Sequence, residues 1–157
     1  MNTPTATTIR KQKIETMNEL IAVTRDSAEF YTEAATKVDN SGLKNLFTGM
    51  AHSKNGLVGA MSRDVRSEGA EPAKEGTFRG SMRKLYGDVR AKFGDQDYAY
   101  VSELEAGEDR LLHALKDVLD DDAVSAPVRE AVTSYLPTVK QHHDEMRDRK
   151  WAMQARH

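Results

Sequence analysis

The chain of 157 residues has no cysteine, so disulfides, thiolate metal sites and a cysteine nucleophile are all excluded. It has only 4 prolines and 10 glycines, too few for a loop-built or low-complexity protein. No run of about 18 apolar residues occurs, which excludes a membrane-spanning helix. The opening Met1-Asn2-Thr3-Pro4-Thr5-Ala6-Thr7-Thr8 has neither a basic region nor an apolar stretch. No secretory signal is therefore expected, and a cytoplasmic location fits. Charge of one sign is also lacking: 23 Lys+Arg against 25 Asp+Glu leave a net −2. Nucleic acid and membrane surfaces are not expected partners on that balance. No strand pattern, Gly-rich phosphate loop or internal repeat is evident.

What is present is helical periodicity. From Thr8 to Val38 the inward positions are Ile14, Met17, Ile21, Thr24, Ala28, Tyr31, Ala35 and Val38, in steps of three and four. Asp39-Asn40-Ser41-Gly42 reads as a stop. A second helix, Leu43 to Ser67, has Leu43, Phe47, Met50, Lys54, Leu57 and Met61 as its seam. Gly69 and Pro72 end it. A third long helix runs from Gln96 to Leu119, capped by Asp95, with Val101, Leu104, Glu108, Leu112, Leu115 and Leu119 inward. After Asp120-Asp121-Asp122, Ser125 and Pro127 start the last helix. Its seam is Val128, Val132, Tyr135, Val139, His142 or His143, Met146 and Met153. Pro137 inside it predicts a kink near Thr133.

Two tight turns make two hairpins, while Gly69 to Asp95 is too long for a turn. Within it a shorter helix from Thr77 to Phe93 would span about 24 Å. The expectation is one all-α domain over residues 1–157: a four-helix bundle with a long crossover (69–95) carrying a short extra helix, and a flexible lead at 1–7. One long crossover between two hairpins is the ferritin-like connection.

The informative residues are those that interrupt the apolar seams: Thr24, Lys54, Glu108 and His142 or His143, one per long helix. Thr24 and Lys54 lie at similar distances from the first turn. Glu108 and Lys140 lie at similar distances from the second. The interruptions should thus share a layer. A buried charge is costly unless paired, so Lys54 is expected to meet Glu108 inside the bundle. Thr24, Tyr31, Lys140 and a histidine, His143, complete the expected interior polar cluster. The acidic run Asp117/Asp120/Asp121/Asp122 lacks the spacing of a calcium loop and reads as a solvated helix end.

The stretches Leu20 to Tyr31, Glu103-Leu104-Glu105-Ala106-Gly107-Glu108-Asp109 and Val139 to Asp144 resemble an uncharacterised family of bacterial four-helix bundles in the ferritin-like group. The Gly69-Ala70-Glu71-Pro72 loop sits where that family has its crossover. Its wider relatives, such as rubrerythrin, hold two irons through a Glu, a Glu-x-x-His, a Gly-Glu and a second Glu-x-x-His. By that resemblance the first Glu falls on Thr24. The second motif becomes Lys54-x-x-Leu57, the third Gly107-Glu108 and the fourth Lys140-x-x-His143. Only Glu108 and His143 keep a ligand type. The resemblance therefore implies a bundle without its di-iron centre or any other cofactor.

Three functions are open at this stage. One is a non-enzymatic, stress-associated or scaffolding bundle, self-associating as a homodimer by analogy or binding an unknown protein partner. Another is an iron- or manganese-dependent oxidoreductase or iron-handling protein, using Glu108 and His143 with Glu105, Glu29 or Glu33. The last is an enzyme with Lys54 as a desolvated nucleophile or base.

Overall fold

The computed structural model describes residues 5–74 and 95–156. Over these the chain is all-α: α1 (Ala6–Lys37), α2 (Ser41–Ser67), α3 (Gln96–Asp120) and α4 (Ala126–Gln154). They form a four-helix bundle with no strand among the described residues. The expected helix at Thr77–Phe93 lies outside the described residues. So do the first four residues of the expected flexible lead, and α1 begins within the rest of it, at Ala6. None of the described helices is long and apolar enough to cross a membrane.

Each helix begins where a short polar side chain can accept from a free backbone N–H. Thr5 accepts from Thr8 N at 3.1 Å, Asn40 from Leu43 N at 3.0 Å and Asp95 from Tyr98 N at 3.1 Å. Ser125 takes the same position before α4, but its hydroxyl makes no capping bond. Its own N–H is instead bound by Gln12 Oε1 at 3.0 Å, and Gln12 Nε2 donates to Ala123 O at 3.1 Å. One glutamine of α1 thus pins the whole α3–α4 turn. The first turn is shorter than the four residues expected, since Ser41 and Gly42 already belong to α2.

Gly69 has φ +77°. Ala70 N donates to Val65 O at 3.3 Å and Gly69 N to Arg66 O at 2.9 Å, the two bonds of a Schellman turn. A Cβ there would meet only Arg10, at an ordinary 3.5 Å, so backbone strain sets the cost of a side chain. Gly69→Ala should lower stability by about 1 kcal/mol in chemical denaturation. An unchanged midpoint would mean that the turn does not hold its left-handed residue in solution.

The side-chain ties fix the topology. Glu68, after α2, meets Arg10 and Lys13 at the start of α1. At the other end, Asp97 in the first turn of α3 accepts from the N–H groups of Asp39 and Asn40 at 3.1 and 3.3 Å. Hence α2 and α3 run parallel, and the connection between them must travel the length of α2, about 40 Å. Its first residues follow α1: Ala73 N donates to Asn18 Oδ1 at 2.8 Å, and Arg25 Nε to Ala73 O at 2.8 Å. Gln154 reaches back to Tyr98, so α4 runs parallel to α1.

α4 continues unbroken through Pro137. Thr133 and Pro137 both face solvent, so the carbonyl that proline leaves unpaired can bond to water. The acidic run after α3 is exposed, as a solvated helix end should be. Arg129 bridges the carbonyls of Leu119 and Asp121, tying that turn to α4.

The apolar core divides in two. One cluster contains Tyr31, Phe47, Tyr100, Leu104 and Met146; the other contains Ile21, Leu57, Met61, Leu111 and Val139. The division falls at the same level on every helix, at Thr24, Lys54, Glu108 and His142. All four are buried. Large apolar side chains above and below, each contributing about 1.5–3 kcal/mol by burial, hold this polar layer in place.

Candidate functional site

Lys54 enters the layer because it takes an inward position between Ala51 and Leu57 on α2. Glu108 does the same between Leu104 and Leu111 on α3. Both side chains have 0% exposure. Lys54 Nζ lies 2.8 Å from Glu108 Oε2, to which it donates, and 2.6 Å from Oε1. The Oε1 contact is ionic and poorly directed for a hydrogen bond. The ammonium therefore sits across both oxygens of Glu108, the only carboxylate among the described residues at the centre of the layer.

Burial lowers the Lys54 pKa, and the neighbouring Glu108 charge opposes the shift. Burial raises the Glu108 pKa, against Lys54, Tyr31 and, more weakly, His143. On each side, loss of water outweighs the attraction of the partner. Tyr31 is fully buried beside the same carboxylate. Burial first, and then the Glu108 charge, hold its hydroxyl well above the usual range. The tyrosine oxygen has no well-directed hydrogen bond among the described residues.

Thr24 is at the level of the pair but is satisfied on its own helix. Its hydroxyl donates to Leu20 O at 2.7 Å and lies 3.9 Å from Met61 Sδ. The histidine inside is His142, only 6% exposed. Burial, and then the Lys54 charge, lower its pKa to about 4, so the ring is neutral near pH 7. Its Nδ1 is buried and has no hydrogen-bond partner among the described residues.

Two members of the expected cluster sit elsewhere. Lys140 is exposed, because three residues before His143 on α4 is the solvent side. His143 keeps 14% exposure at the rim, with Nε2 3.3 Å from Asp109 and Nδ1 3.1 Å from Asp144. That hydrogen bond is the main reason the Asp144 carboxyl titrates below its usual value. The other carboxylates considered as metal ligands do not gather around Glu108. Glu105 lies 3.5 Å from Lys150, and Glu29 and Glu33 are exposed. Among the described residues, no three His, Asp or Glu side chains come together in a way that could hold an ion.

Sequence reasoning missed Asp26, which is 6% exposed on α1. A single seam does not predict it. α1 buries a wider face because the crossover begins alongside it, at Asn18 and Arg25. The reasoning also missed a groove of about 770 Å³ between α2 and α4, with His142 in its wall.

The search of curated proteins and of solved structures found no match. Residues 12–121 match a family described as a domain of unknown function, DUF2383. The matched stretch contains Lys54 and Glu108 and stops before α4, which carries His142. It covers well over half of the chain, so the protein belongs to the DUF2383 family.

Proposed function

We propose that this protein is a ferritin-like bundle that works without catalysis, as a stress-associated or scaffolding protein of the bacterial cytoplasm. In this reading a buried Lys54–Glu108 contact stands where ferritin-like enzymes keep two irons. The observation that carries it is the ammonium 2.6 and 2.8 Å from the two oxygens of Glu108. A divalent ion needs those same lone pairs, and a protonated amine beside them repels it. Thr24, bonded to its own backbone, supplies no anionic ligand opposite. These residues do not fit a di-iron centre.

Kinship with the ferritin-like group is supported by topology: α2 and α3 run parallel and are joined by a connection as long as the bundle. Self-association as a homodimer is part of the proposal by analogy with that group. The test is elemental analysis of the protein purified from cells supplied with iron and manganese. Metal well below one ion per chain is expected. Two irons per chain, lost in Glu108→Ala, would overturn the reading and restore an iron-handling role.

A further inference from the structure

Lys54 and Glu108 are 54 residues apart in sequence and are held face to face by different helices, α2 and α3. Nζ lies 2.6 and 2.8 Å from the two carboxylate oxygens, so it also faces Cδ, the carbon they share. Both side chains have 0% exposure, with an apolar cluster on either side. An amine and a carboxyl group in contact are the two halves of an amide. In water hydrolysis prevails, because water is the abundant reactant. A dry layer removes that reactant, and fixing the two groups replaces a chance encounter. We propose that the layer is a self-modification site, in which Lys54 Nζ and Glu108 Cδ condense to a covalent amide joining α2 to α3.

The step balances within the pair. A proton first passes from the Lys54 ammonium to the Glu108 carboxylate, leaving a neutral amine and a carboxylic acid. Burial favours that transfer, since it disfavours both charges. The carboxyl group turns about its Cγ–Cδ bond, a soft torsion, and the amine lone pair forms a bond to Cδ. One C–O bond breaks. Its oxygen leaves as water, taking the acid proton and one proton from nitrogen. No oxidant, activated ester or second substrate is consumed. Tyr31 is fully buried beside the same carboxyl group, and its hydroxyl keeps its proton well above neutral pH. That hydroxyl is the donor available to the oxygen that gathers negative charge as the bond to nitrogen forms.

The chain folds with the ion pair, and the amide forms from it afterwards. The new bond closes a long loop of chain between α2 and α3, so the linked fraction should unfold at a higher urea concentration than the fresh protein. The proposal rests on the metal-free reading above. Metal in the layer would fail that reading in elemental analysis, whereas a metal-free chain of unchanged mass would fail this one alone.

The test is intact-mass spectrometry of the full chain, sampled over time in native buffer and in concentrated urea. A species lighter by one water should accumulate in native buffer only, and digestion should release the Lys54 and Glu108 peptides joined to each other. Lys54→Met and Glu108→Ala should never form it, and the joined peptides identify the bond even where a variant does not fold. Tyr31→Phe keeps the ring and so the packing, and should slow formation at least about tenfold. A mass that stays at the sequence value overturns the proposal. So does a lighter species that also appears in Lys54→Met or in urea, as ring closure at an exposed aspartate would. Formation at an undiminished rate in Tyr31→Phe would overturn the part given to the hydroxyl.

Discussion

Glu108→Ala is expected to lower the stability of the bundle by about 3–5 kcal/mol, and Lys54→Met by a similar amount. Each change removes one charge and leaves the other at 0% exposure with no counter-ion. Lys54→Met/Glu108→Leu should behave quite differently. It removes both charges, replaces them with side chains of similar volume, and joins the two apolar clusters into one. The double variant should match or exceed the parent, by as much as a few kcal/mol. The directions of the pKa shifts agree with this contrast. Burial pushes both groups toward neutrality despite their contact, so the charged pair fits a dry interior less well than an apolar pair would. A double-mutant cycle by urea denaturation measures it. Single variants costing under about 1 kcal/mol would mean that the pair meets water in solution. A double variant as unstable as either single one would mean that the ion pair itself stabilises the fold.

The contrast between the charged layer and the apolar core is also what made the layer legible in the sequence. Steps of three and four locate Met17, Ile21, Phe47, Leu104 and Val139 on inward faces, and all are buried. Lys54 and Glu108 share those faces, and a charge on such a face has few ways to be satisfied other than by an opposite charge. The cap at Asp95 was readable because its chemistry is local. The choice between His142 and His143 was not. The two rings point about 100° apart, and a few degrees of helix rotation decide which one is inside. Lys140 was misplaced because its distance from the second turn fixes its level along the bundle and not the side of α4 on which it lies, which is the exposed one. The helix start at Ala6 instead of Thr8 is ordinary uncertainty at a terminus. The groove could not be read at all from one helix. Its width depends on the spacing of α2 and α4, which lie far apart in the chain, and Gly49 and Gly56 look like mere propensity defects until α4 is in place.

Stability should fall by about 3 kcal/mol as pH drops from 6.5 to about 4, because of His142. The sign follows from proton uptake. The folded ring has a pKa of about 4 and the unfolded ring one near 6.5. Between those values the unfolded chain binds the extra proton, so acid favours unfolding; below the lower value the loss is complete. Glu108 acts in the opposite direction. Its raised folded pKa means that the folded state keeps a proton above pH 4.5, so stability falls as pH rises through its window. The two effects are separated by comparing the parent with His142→Phe across this range in urea. The variant should lose the His142 slope and keep the Glu108 contribution. Lys54 on α2 acts on the ring by its charge and Glu145 on α4 lines the same groove, and neither is changed by the substitution. Identical slopes in the two proteins would show that His142 takes up its proton at an ordinary pH in the folded chain. The ring would then be open to water, and the polar layer would not be sealed on the α4 side.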